Sequence, residues 1–368
     1  MNTEQRVLTA LRLAQPDRVP VFVYLNPYVA GWYSDDPSYA ELLSACAEYA
    51  DVLYDWYVPV GFFCSAAEVP VESRPLPDGA TERIMHTPRG PITSEIAPDW
   101  RGGGRRKLWI RSVEDARRAL SVPFVPVGPD FAEFHATRAR LAGRAVAQVT
   151  LPDPICILGG AIDQETLAVW TLRQRDLLRE MLDAVLERIA DVVRCCLEAG
   201  AGPLYYFNGP EYALPPLMAP ADFDEFVVEY DRPLMELIHS YPGRYAIVHS
   251  HGRVSRFLER FAEIGMDGLN VLEPPPVGDT VLADAKRRVG DKYCLIGNIQ
   301  YDDIARGTPD RVERLVVEAL RAGAPGGGFI LSPCASPYER PLPRAAAENF
   351  LHYLRAARKY GRYPLRLP

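Results

Sequence analysis

Residues 245–272, YAIVHSHGRVSRFLERFAEIGMDGLNVL, carry the fold in miniature. A short apolar run, 245–250, ends at His249-Ser250-His251-Gly252. Apolar residues at helical spacing follow over 254–264. A second apolar run, 268–272, then begins after Gly265. Strand, helix and strand in so short a space make a βαβ unit with parallel strands. Working outward, the same alternation predicts eight strands, at 19–25, 50–55, 145–151, 204–208, 245–250, 268–272, 293–297 and 328–332. Several are nearly continuous apolar runs, as expected of strands covered by helices. Helices are predicted over 163–199, 222–240, 254–264, 280–289, 308–321 and 344–360. Gly200 and Gly202 stop the first, and Thr308-Pro309 opens the fifth.

Eight strands with interleaved helices predict an α/β chain folded as a (β/α)8 TIM barrel, one domain over 1–368. An open doubly wound sheet is the alternative, but no GxGxxG follows the first strand. One segment breaks the alternation. Residues 69–99 hold turn signals at Pro77-Asp78-Gly79 and Pro88-Arg89-Gly90, predicting an antiparallel hairpin inserted after the second strand. Residues 101–107, RGGGRRK, read as a solvated loop, because no Gly-Lys-Ser/Thr follows them. Ser112 with Asp115 signals a helix start.

The net charge of −7 argues against nucleic acid as a partner. No apolar run spans a bilayer, and residues 1–18 lack the apolar core of a signal peptide, so a cytoplasmic location is expected. Seven cysteines at irregular spacing, without a CxxC, predict free thiols.

In a barrel, chemistry sits where the strands end. Those ends are Asp55, 206–211, His249 to Gly252, Glu273, Gly297-Asn298 and Ser332-Pro333-Cys334, with polar groups concentrated on the fourth to eighth. His249 and His251 lie at i and i+2, on one side of an extended segment. Cys334 ends the eighth strand across the same mouth. Two imidazoles and a thiolate suit Zn²⁺ with an open fourth position, for which Glu273 is a candidate. Either element alone is more simply a structural residue; the combination favours the metal. Glu211 and Glu273 are the candidate acid–base groups. Asp55, Asn208, Asn298 and Tyr338 are candidate substrate contacts, with Arg340 beside Tyr338 in sequence.

Residues 6–11 (RVLTAL), 16–21 (PDRVPV), 248–252 (VHSHG), 295–299 (LIGNI) and 356–361 (AARKYG) resemble the uroporphyrinogen decarboxylase superfamily over nearly the whole chain. That resemblance implies a barrel with an N-terminal helical extension. One branch of the superfamily decarboxylates a porphyrinogen without metal, using an arginine-rich stretch after the first strand. Residues 25–31 here, LNPYVAG, contain no arginine, although Asp55 matches that branch's essential aspartate. The other branch comprises zinc-dependent methyltransferases acting between corrinoid proteins and thiols such as coenzyme M. Its His-x-Cys motif and later Cys fall on His249, His251 and Cys334. His251 stands where that branch has Cys, which removes one negative charge from the site. The expected enzyme is therefore a zinc-dependent methyltransferase or demethylase acting on a small methylated compound or a corrinoid-protein methyl group. The chain has no Asp-x-His-x-x-Gly motif, so any corrinoid would arrive on a separate partner protein. A homodimer is the assembly that the resemblance implies. The alternatives are a carboxy-lyase for a non-porphyrin acid and a non-catalytic scaffold.

Overall fold

Runs such as Ala145-Val146-Ala147 and Leu204-Tyr205-Tyr206-Phe207 have side chains buried on both faces, which favours a central parallel strand over a surface one. In the computed structural model, which describes residues 1–98 and 105–368, seven such strands form one parallel sheet. They are β1 (Val52–Tyr57), β6 (Ala145–Pro152), β7 (Leu204–Asn208), β8 (Tyr245–Ser250), β9 (Gly268–Val271), β10 (Cys294–Ile299) and β11 (Phe329–Pro333), paired in that order.

The sheet is curled, and its two faces bury different partners. Leu53, Val146, Leu204, Ile247, Ile296 and Ile330 share an inner cluster with Val7, Ala10 and Leu11 of the helix Thr3–Leu11. That helix stoppers one end of the concave face. It starts at a capping box in which Asn2 and Gln5 each bond the other's backbone. On the convex face, Val149, Tyr205, Phe207, Val248 and Leu295 belong to the larger cluster with the covering helices.

The predicted strand at 19–25 is not a regular strand. Val21 makes one parallel bridge with Leu331. Phe22 N–H donates to Leu331 O (2.9 Å), while Asp51 N–H donates to Val21 O (2.7 Å). The segment thus touches both edges of the seven-stranded sheet. Pro20 has no N–H to give a ladder, and Tyr24 takes φ 61°, a left-handed conformation that interrupts extension.

The inserted segment is larger than the expected hairpin. β2 (Val71–Pro75), β3 (Thr81–Thr87), β4 (Gly90–Ile96) and β5 (Arg105–Lys107) make a separate four-stranded antiparallel sheet. Of the RGGGRRK loop, 101–104 lie outside the described residues, and the rest is β5. The predicted helix 163–199 is two, Gln164–Arg173 and Arg175–Glu198, broken at Gln174. The predicted helix 222–240 contains a π-type turn, Asp224–Val228, before Glu229–His239. The helix Arg344–Tyr360 matches its predicted limits. Ser112 and Thr308 cap their helices by accepting N–H groups of Asp115 and Arg311. All seven cysteines are free thiols. No helix among the described residues is long and apolar enough to cross a membrane.

Candidate active site

Alternate residues of a strand face the same side. The inner cluster fixes the parity: Leu204, Ile247 and Ile296 point inward, so Tyr206, His249 and Asn298 do too. Register then aligns them. Pro152 pairs with Asn208, Asn208 with His249, and His249 with Asn270. This row is the rim of the concave face.

The row carries a buried hydrogen-bond network. Tyr206 Oη donates to Asn270 Oδ1 (2.7 Å), and His249 Nδ1 lies 2.6 Å from both of those oxygens. Asn270 Nδ2 donates to Tyr24 Oη (2.8 Å) and to Ile296 O (3.2 Å), and Tyr24 Oη meets Ser332 Oγ at 2.9 Å. Burial holds both phenols well above their usual range, so they stay protonated donors. Burial, with His251 adding to it, pushes His249 down to about 4. The imidazole is therefore neutral near pH 7. A lone pair at Nδ1 would face the Asn270 oxygen, so Nδ1 carries the proton and Nε2 keeps its lone pair.

The His251 ring stands edge-on to His249, with centroids 4.7 Å apart. Its Nδ1 meets Glu273 Oε1 at 3.2 Å, and that bond raises the His251 pKa. Burial pushes Glu273 up, but His251 and the Gly252 N–H (2.7 Å) outweigh it and hold the carboxyl below its ordinary value. Glu211, on the short turn Pro210–Ala213, is pushed up by burial, and its Oε2 has no hydrogen-bond partner among the described residues. Burial raises the Cys334 thiol well above its usual range, and the charges of Glu273 and Asp303 add to this.

Among the described residues, no three His, Cys, Asp or Glu side chains converge closely enough to hold one metal ion. His249 and His251 are adjacent, but each is tethered through Nδ1. The donor chemistry still suits zinc. Both imidazoles are anchored at one nitrogen by an oxygen partner, which is how ligating histidines are oriented.

Asp55 accepts from Gln148 Nε2 (2.5 Å) and Thr150 Oγ1 (3.2 Å) on the same inward face. Its surroundings raise its pKa, although water reaches it from the open end. Asn208 and Asn298 are half-buried at the ends of β7 and β10. Tyr338 is 59% exposed and packs on Tyr301, at 4.8 Å between centroids. Arg340 pairs with Asp35 (2.8 Å) and donates to Trp32 O.

Sequence reasoning missed Asn270 and Gln148, and gave Ser332 no role beyond its place at a strand end. Each is a polar residue on the inward parity of an apolar strand, and that parity was the available signal. It also missed a deeper acid cluster. Asp153 and Asp231 are fully buried, and Asp153 Oδ2 and both Asp231 oxygens have no hydrogen-bond partner among the described residues. Burial pushes Asp231 up to about 8; burial and the Asp231 and Glu211 charges raise Asp153.

Several known proteins are similar to this chain. The family model for uroporphyrinogen decarboxylase (URO-D) matches residues 132–360. A methylcobamide:CoM methyltransferase MtaA of Methanosarcina barkeri is 27% identical over 181 residues, 48% of this chain and 50% of its own. The uroporphyrinogen decarboxylase of Sodalis glossinidius is 32% identical over 178 residues, 47% of each chain. That of Pseudoalteromonas translucida is 28% identical over 158 residues, 42% of each. The chain thus matches about half the length of these curated relatives. A solved methyltransferase from Methanosarcina mazei superposes with a TM-score of 0.63 at 18% identity, covering 98% of this chain and 99% of that one. At that identity the likeness is one of fold. The matched span runs from the helix before β6 to the last helix, taking in His249, Asn270, Glu273 and Cys334, and by it the chain belongs to the uroporphyrinogen decarboxylase family.

Proposed function

We propose that the chain is a zinc-dependent methyltransferase of demethylase type, acting on a small methylated compound. On this reading, residues 19–25 serve as the eighth stave of a (β/α)8 barrel, and the whole chain is one domain. The observation that carries the proposal is the pair of adjacent imidazoles, each anchored through Nδ1 by an oxygen partner, as metal-ligating histidines are. His249, His251 and Cys334 would hold zinc, with Glu273 close by. Bound there, zinc would supply Lewis acidity to a methylated heteroatom or an acceptor thiol.

The chain's own groups do the rest. Asn270 and Tyr206 fix the His249 ring and its tautomer. Glu273 fixes His251. Glu211, pushed above its ordinary value by burial, is the acid placed to serve the heteroatom that loses its methyl group. Asp55, Asn208 and Asn298 face the reactant from three separate strands, β1, β7 and β10. A corrinoid, where one takes part, comes on a separate protein.

Metal analysis of the gently purified protein tests this. We expect about one zinc per chain. Replacing His249 with Ala or Cys334 with Ser should lower affinity at least about tenfold without loss of folding. Wild-type protein that neither retains nor takes up zinc overturns the proposal. Carbon dioxide release from an acid without any methyl acceptor would instead assign a carboxy-lyase.

A further inference from the structure

A cavity of about 500 Å³ lies between the antiparallel sheet and the loops that follow β1 and β6. Its walls include Phe62, Phe63, Met85, Trp109 and Cys156, and one cation, Arg83. The lining side chains are mostly apolar, while polar atoms make up about half of the surface they leave open, a combination that suits a small organic ligand carrying one polar end.

Arg83 is the informative residue. It lies on β3, two residues from Met85, so both face the cavity. Its cross-strand neighbours are Ser73 and Ser94 rather than acids. Of the basic side chains nearby, Arg74 pairs with Glu82 (2.5 Å), Arg106 and Lys107 pair with Glu95 (2.6 and 3.2 Å), and the buried Arg188 stacks on the Phe62 ring and donates to Phe62 O behind the wall. Among the described residues Arg83 has only the Trp109 ring, 5.4 Å away. A guanidinium without a counter-charge against an apolar wall is costly, and a carboxylate offsets that cost with up to two parallel hydrogen bonds. A phosphate dianion would want further donors. The nearest helix start, at Pro154, is already closed by Asp153 accepting from Cys156 N–H (2.7 Å).

The cavity adjoins the candidate site. Pro152 in its wall pairs with Asn208, which pairs with His249. Two strand spacings, about 10 Å, separate them. We infer that this cavity binds the apolar, aromatic body of a small monocarboxylate substrate, with its carboxylate paired to Arg83. The inference rests on the methyl-transfer reading for what happens at the ligand's other end, though not for the binding itself.

Calorimetry with 4-methoxybenzoate as probe tests it on the full chain. We expect binding to wild type, a dissociation constant raised at least tenfold by Arg83→Gln, and a similar loss when 4-methoxybenzamide replaces the acid. Absence of binding to wild type, equal affinity of Arg83→Gln, or equal affinity for the amide each overturns the inference. Should Arg83→Gln fail to fold, the acid-against-amide comparison on wild type decides. A chain that takes no zinc yet shows the Arg83-dependent affinity loses the methyl-transfer reading and keeps the pocket. A zinc-binding chain indifferent to Arg83 does the reverse.

Discussion

At the scale of single residues, Asp231 sits in an environment unlike water, 1% exposed and with neither carboxylate oxygen bonded among the described residues. An aspartate in the unfolded chain titrates near 3.9, and burial moves it to about 8 here. Between those values the unfolded chain releases its proton and the native chain keeps it. Native stability therefore falls as pH rises through that window, and the penalty stays in place above it. Asp153 and Glu211, also buried and raised, face the same interior and steepen the trend. Asp231→Asn should accordingly stabilise the protein, by at least about 1 kcal/mol at pH 7.5 and far less at pH 4. Denaturant melts at both values check this, and an equal gain at both would contradict it. The individual site residues were unevenly legible. His249, His251, Glu273 and Cys334 announced themselves by sitting at the ends of apolar runs. Asp231 did not, because an acid inside an amphipathic helix looks like any solvated one until the packing partner is known.

Elements were legible where local pattern and tertiary burial agree. Continuous apolar runs gave β6 to β11 within a few residues. The exceptions have local causes. Pro20 and the left-handed Tyr24 break the first predicted strand. Turn signals at 77–79 and 88–90 show where a chain reverses, not how many strands it lays side by side. Gly209 marks an element junction more firmly. It joins β7 to the turn bearing Glu211 at φ +125°, and a Cβ added there would lie 2.1 Å from Cys156 Cβ. Gly209→Ala should cost about 2 kcal/mol or more, through dihedral strain and overpacking. Adding Cys156→Gly should restore only part of that, since the clash goes and the dihedral remains. Full restoration would show the dihedral to be innocent.

For the whole molecule, the decisive contacts tie the ends of the chain into the sheet. Asp51, 1% exposed, accepts from Arg6 (2.6 Å), Arg18 (2.7 Å) and the Val21 N–H (3.0 Å). One carboxylate so joins the first helix, the 18–21 segment and the start of β1. Asp51→Ala leaves the buried Arg18 guanidinium without a carboxylate, while Arg6 keeps Asp17 (2.7 Å), and should cost about 3–5 kcal/mol, readable as a lower denaturation midpoint. A change under about 1 kcal/mol would mean water replaces the carboxylate readily. The helix Thr3–Leu11 that this anchor secures also closes one end of the curled sheet. A vessel corked at its base is filled and emptied through its neck. On the methyl-transfer reading, each reactant would arrive by the passage that each product leaves by, and turnover would be a queue. Spent product should compete directly with the small reactant in steady-state inhibition, and a large second reactant should bind only after the small one is inside.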